Sequence, residues 1–324
     1  MDLQLAFELR SPTGTTPHRA LYPAMLDIAE WADAVGFRFV NFGEHHVSDS
    51  GYCPSPLIAC AAVAGRTKRI RMRPNILIAP LYDPIKLAED TAVLSLASGG
   101  RFDLALGGGY RNSESAMFGR DPKTRWKDWG ETATLLLKAW TGEPFEYLGR
   151  TIRVRPAPDP RPTLLMGGST PAGARRAARL ADGFSLPFDP ELWEPYRQEC
   201  LALGKPDPGP VQPRGPVFLW VAEDVEAAWA MLMPHVLSQI EEYGSFTIEA
   251  YGEAAGPYRG QVDPASARRN PAYQVLTPEE LILLGRSLGP NGLLLFNPLM
   301  GGIAVHEAWR MLKLFEAKVL PHLP

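Results

Sequence analysis

The chain has 324 residues, 45% of them apolar and 21% charged, an ordinary globular composition and enough length to bury about three quarters of the unfolded surface. A formal net charge of −3 leaves no basic excess, so neither nucleic acid nor an anionic membrane is expected as a partner. Residues 1–8 alternate like a strand and lack the flank and core of a signal peptide, and no later apolar run reaches membrane-spanning length; a soluble, cytoplasmic protein is expected.

In chain order, residues 3–7 read as a strand, 20–35 as a helix stopped by Gly36, and 39–42 as a short apolar strand. Residues 54–65 and 84–97 have helical spacing, with strands at 70–78 and 102–106 between and after them. The spacing then predicts a helix over 126–140, a hairpin over 145–154 turning at Leu148-Gly149, and a proline-rich link over 156–162. Strands at 163–166, 184–186, 217–221 and 292–296 alternate with helices at 172–181, 191–203, 225–242, 278–287 and 305–319. Eight buried strands of parallel type, each followed by a helix, predict a single (β/α)8 barrel, one domain over 1–324. Residues 243–274, rich in Gly, Pro, Tyr and Arg, show no clear period and are expected to form a long irregular insertion, either a lid or a mobile excursion.

Ligands of parallel α/β proteins sit at the C-terminal ends of the strands, which draws attention to three stretches. Glu44-His45-His46 ends the second strand. Alternation puts Glu44 and His46 on one side and His45 on the other, and nothing elsewhere completes a recognisable ligand set, so no metal is expected. One histidine facing the cavity as donor or proton shuttle is the sharper reading. Cys53, Cys60 and Cys200 show no paired spacing and read as reduced, buried thiols.

Gly107-Gly108-Gly109-Tyr110-Arg111 follows a strand, permits close backbone approach and offers Arg111 to a phosphate, though its glycines do not match a dinucleotide fingerprint. Gly167-Gly168-Ser169-Thr170-Pro171 lies where a strand hands over to a helix; its free N–H groups and helix dipole suit an anion. Of Arg175, Arg176 and Arg179 on that helix, only Arg175 is expected near it.

These stretches, with Gly36-Phe37, 75–80, 99–109, Ala181-Asp182-Gly183-Phe184 and 314–323, resemble the bacterial luciferase-like family of flavin- and deazaflavin-dependent (β/α)8 oxidoreductases over nearly the whole length. The resemblance implies reduced FMN in the barrel mouth as a co-substrate, its phosphate on the turn 167–170, and His45 as the catalytic residue beside the ring. It places a non-prolyl cis peptide at Asn75-Ile76, against the flavin. Luciferases carry a phosphate-gripping arginine where this chain has Gly108; Arg111, Arg175 or the backbone turn would take its place.

The implied activity is a two-component monooxygenase: a separate reductase supplies reduced flavin, and O2 is used to oxidise a small, apolar or aromatic organic substrate. Phe7, Tyr52, Tyr82, Tyr110, Phe188, Tyr251, Tyr258 and Phe296 are available to line its pocket. The alternatives are a deazaflavin-dependent dehydrogenase or reductase, using Arg259, Arg268 and Arg269 for a longer cofactor tail, a non-catalytic flavin-binding module, and a metal hydrolase on the same barrel. The family resemblance also implies a homodimer.

Overall fold

The structure, a computed structural model, describes residues 1–187, 189–259 and 262–324. Its first half repeats strand and helix: β1 (Asp2–Phe7), α1 (His18–Val35), β2 (Phe39–Phe42), α2 (Pro56–Arg66), β3 (Arg71–Pro74), β4 (Leu77–Ile78), α3 (Pro84–Ser98) and β5 (Asp103–Gly107). The connections carry their own stop signals. Gly36 ends α1 in the left-handed region, Gly99 does the same for α3, and Asp83 caps the start of α3 by accepting from Ile85 and Lys86 N–H groups.

Next come α4 (Asn112–Met117), α5 (Arg125–Ala139) and a hairpin, β6 (Phe145–Tyr147) and β7 (Arg150–Ile152). Its two-residue turn needs positive φ twice, and Leu148 at 49° and Gly149 at 71° supply it. Then follow β8 (Thr163–Met166), α6 (Pro171–Leu180), β9 (Gly183–Phe184), α7 (Trp193–Ala202), β10 (Phe218–Val221) and α8 (Val225–Tyr251). The chain closes with α9 (Pro264–Arg269), β11 (Tyr273–Leu276), α10 (Pro278–Leu288), β12 (Leu293–Phe296) and α11 (Val305–Lys318).

The parallel ladders run β12-β1-β2-β3 and β4-β5-β8-β9, and a bridge between Met72 and Phe102 joins the two. All four residues of β2 are buried, as a strand covered on both faces requires. Between β1, β2 and β3, Asn41 donates to Gln4, Gln4 to Asp2, and Arg73 to Asn41, a chain of polar side chains that pair with one another. The apolar core extends from Leu3 to Val319.

All eight expected strands are present, and β11 is an additional one. β10 and β11 form their own parallel pair, tied to β12 through the bridge between Arg214 and Leu293, and among the described residues no ladder joins β9 to β10.

The irregular stretch at 243–274 is also corrected. α8 continues through Pro234 to Tyr251, α9 follows, and β11 begins at Tyr273. Helical periodicity beyond residue 242 was masked by Gly244 and by aromatic residues that face the strand ends rather than the core. α4 was not anticipated, and the expected strand at 70–78 divides at a cis Asn75-Ile76 peptide.

Candidate active site

β2 ends at Gly43, where a Cβ would lie 2.5 Å from the Tyr52 hydroxyl; glycine is what lets Tyr52 close over the strand end. His45 and His46 follow, both buried. Glu44 and His46 share a side, as alternation predicts: His46 Nε2 donates to Glu44 Oε1 at 3.0 Å, Tyr82 O–H donates to the same oxygen at 2.7 Å, and Ile78 N–H donates to Oε2 at 2.6 Å. Burial, then Glu44, push the Tyr82 phenol up. This pair ties the end of β2 to β4 and is structural.

His45 turns the other way. Its Nδ1 lies 2.8 Å from Glu114 Oε1, which also accepts the His46 N–H at 3.0 Å, and its Nε2 lies 3.3 Å from the Tyr110 hydroxyl. Burial holds the Tyr110 phenol well above its ordinary value, so it remains a donor. Around the ring stand Tyr52, Tyr110, Tyr243 and Phe246, with centroids 4.9–5.8 Å away. The imidazole thus sits in an aromatic, water-poor enclosure with one nitrogen turned to a carboxylate and the other to a phenol.

Two glycine turns adjoin this enclosure. A Cβ on Gly107 would meet Ile76 Cγ2 at 2.7 Å, and one on Gly167 would meet Ile76 Cδ1 at 1.9 Å, so Ile76 of the cis peptide packs against both turns. Asn75 Oδ1 accepts from the Ser185 hydroxyl at 2.8 Å. Thr170 caps α6 by accepting from Gly173 N–H at 3.2 Å, with Pro171 in the first turn. The N–H groups of Gly168, Ser169 and Thr170 meet no acceptor among the described residues, and Ser169 and Thr170 are exposed. This is an open cradle of donors at a helix N-terminus, suited to a phosphate. Gly108 and Gly109 follow the neighbouring strand: Trp126 lies over Gly108, 2.8 Å from where its Cβ would be, and Arg125 donates to the Gly109 carbonyl at 3.4 Å.

Arg111 does not reach this cradle. It is buried, donates from Nη1 to the His46 carbonyl at 2.6 Å, from Nη2 to Val47 at 3.2 Å and from Nε to Glu249 at 3.0 Å, and lies 3.8 Å above the Phe246 ring. Its guanidinium is consumed in holding the loop after His46, where Val47 has φ 52°, an unfavourable value for a β-branched residue. Arg175 is exposed, with no contact to the turn. Arg125, overlooked in the sequence, is likewise occupied: it donates to the Pro122 carbonyl at 2.8 Å, to the Gly109 carbonyl at 3.4 Å and to Asn112 Oδ1.

α8 covers the histidine from the opposite side. Glu242 accepts from Ser48, Ser50 (2.6 Å) and Arg10; Glu249, seven residues on, accepts from Arg111, Ser113 N–H (2.8 Å) and the Ser113 hydroxyl (3.0 Å); Tyr243 bonds Tyr52 between them. Burial works to raise both carboxyls, but these partners outweigh it and hold Glu242 and Glu249 below their ordinary values. Tyr258 stacks on Tyr243 at 4.5 Å, extending the cover. Arg268 is paired with Glu226, and Arg269 reaches Ser266 at 3.4 Å; Phe188 lies outside the described residues. Among the described residues no three His, Cys, Asp or Glu side chains gather to hold a metal, and no helix is long and apolar enough to cross a membrane.

Glu114, Tyr243 and Phe246 are the residues around His45 that sequence reasoning missed, whereas Tyr52 was among the aromatic residues it named. Only Glu114 carried a local signal, an acid in the first turn of a helix just past a glycine turn.

A parallel α/β frame with an enclosed histidine and glycine turns at the strands' C-terminal ends has the form of a cofactor-binding α/β enzyme. The model of the luciferase-like monooxygenase family matches residues 4–282, and the chain belongs to that family. It is 26% identical over 180 residues to the oxygenase component of a flavin-dependent trigonelline monooxygenase from Acinetobacter baylyi, covering 53% of this chain and 50% of that one. It is 29% identical over 182 residues to an F420-dependent glucose-6-phosphate dehydrogenase from Microbacterium testaceum, covering 52% and 54%. The chain spans about half the length of these curated relatives. The fold of the oxygenating constituent of 3,6-diketocamphane monooxygenase from Pseudomonas putida, a type II Baeyer-Villiger monooxygenase solved with FMN, superposes with a TM-score of 0.75 at 21% identity over 100% of this chain and 99% of that one.

Proposed function

We propose that this protein is the oxygenase component of a two-component flavin-dependent monooxygenase, taking reduced FMN from a separate reductase and using O2 to oxidise a small apolar or aromatic substrate. The observation that carries the reading is His45, enclosed by aromatic rings beside the glycine cradle. When bound, the reduced flavin would supply the electrons and the oxygen-activating centre. The chain's own part is threefold. The N–H groups of Gly168, Ser169 and Thr170 would hold the phosphate; Ile76, Gly107 and Gly167 would seat the ring; and α8 would exclude water. His45 Nε2 would take or return a proton at the reacting oxygen. The support for a flavin comes from the named monooxygenase relatives and from the FMN-bound fold neighbour.

The working unit is read as one (β/α)8 domain over 1–324, closed as a barrel, and as a homodimer. Exposed Ile58 on α2 and Val93 and Leu96 on α3 offer apolar side chains to a second copy. A second reading, a deazaflavin-dependent dehydrogenase, is favoured by the F420-dependent relatives, which match a similar share of the chain. Anaerobic titration with reduced FMN and with a reduced deazaflavin, followed by admission of O2, separates the two. Tight FMN binding and oxygen consumption are expected; deazaflavin binding without oxygen consumption would establish the dehydrogenase.

A further inference from the structure

Glu114 is 1% exposed and has two unequal oxygens. Oε1 faces His45 Nδ1 at 2.8 Å and His46 N–H at 3.0 Å, with Arg111 Nη1 at 3.5 Å; Oε2 has no partner among the described residues. A buried carboxylate with that much unmet acceptor capacity is costly unless the charge is used. The groups facing it are Arg111, His45 and the His46 amide, and Arg111 is already divided among two carbonyls and Glu249. His45 is therefore the neighbour whose state Glu114 governs.

We propose that Glu114 is a positioning residue that fixes His45 as the Nδ1–H tautomer. A carboxylate at 2.8 Å from Nδ1 accepts a proton there and repels a lone pair, so Nδ1 carries the hydrogen and Nε2 the lone pair. Nε2 then accepts from Tyr110 O–H and presents a base to the enclosure. When Nε2 gains a proton from a reacting O–H, the N–H bond forms as the O–H bond breaks, and the positive imidazolium lies against the Glu114 charge. The opposite tautomer would leave Nε2 without a lone pair and set two acceptors face to face at Nδ1. The functional consequence rests on the reading of His45 as the proton-handling residue; the tautomer does not.

The test is 15N NMR of the full-length, ligand-free protein labelled at histidine, with His45→Asn to assign the resonance. Wild type is expected to show a protonated Nδ1 and an unprotonated Nε2; E114Q, which keeps a carbonyl acceptor, retains this pattern, and E114L shifts toward Nε2–H. Reoxidation of bound reduced FMN by O2 should slow about 100-fold in E114L and no more than about 10-fold in E114Q, the range of general acid–base effects. A wild-type Nε2–H tautomer would overturn the proposal without any variant having to fold, and so would an E114L protein with an unaltered tautomer. An H45N protein with normal oxygen reactivity would defeat the proton-handling role while the NMR pattern still decides the tautomer.

Discussion

The two sides of the mouth are built on opposite principles. On the side of β5 and β8, Gly107, Gly108, Gly109, Gly167 and Gly168 strip the strand ends of side chains and leave N–H groups facing outward. On the α8 side, Tyr52, Tyr243, Phe246 and Tyr258 fill the space with rings, fastened by Glu242 and Glu249. The difference teaches that backbone can bind a ligand only where side chains are withheld, and that a ring beside it can be kept dry only where side chains are supplied. His45 stands between the two.

The sharpest way to break this comparison is to put a side chain on the bare side. Gly167→Val would displace Ile76, since a Cβ there lies 1.9 Å from Ile76 Cδ1, and so disturb the proposed flavin seat. Overpacking of roughly 1–3 kcal/mol corresponds to about 5- to 150-fold weaker binding of reduced FMN in an anaerobic titration. Tyr243→Phe on the covered side should leave that affinity within about twofold, because a ring is retained.

Arg111→Ala comes next. Its guanidinium fastens α8 to the His46 loop, so its loss takes the cation from Glu249, leaving only the Ser113 donors, and should lower unfolding stability by roughly 3 kcal/mol in urea, with little change in FMN affinity. A large loss of affinity with unchanged stability would return Arg111 to the phosphate.

That residue also shows how much of the site was legible. Strand ends, the glycine turns, the opposite faces of His45 and His46 and the cap at Thr170 are local, and periodicity and turn chemistry display them. Arg111 looked free because the partner that holds it, Glu249, is 138 positions away. Glu114 meets His45 across 69 positions, and β11 has only four residues, paired with a strand outside the main ladder. Long-range pairing of short segments leaves no periodic trace in a sequence.

A smaller effect tests the cover itself. Glu242 and Glu249 are held below the ordinary carboxylate value, so the stability they contribute is fully present above about pH 4.3 and is lost as pH falls through their lowered values. Hydrogen exchange of residues 242–251 should accelerate in that acid window before the strands do, and E242Q with E249Q should remove the dependence. Smallest of all, Tyr251→Ala, at a half-exposed ring stacked 6.1 Å from Tyr110, should cost about 0.5–1 kcal/mol of stability.

The most direct test joins both sides at the histidine. Wild type and His45→Asn would be loaded anaerobically with reduced FMN, their dissociation constants compared, and O2 then admitted while flavin reoxidation is followed by absorbance. Equal affinities with reoxidation altered about 100-fold in His45→Asn are expected, within the range of a lost acid–base group. Identical reoxidation in the two proteins, or loss of FMN binding in the variant, would contradict a histidine that handles protons beside a cofactor held by the backbone.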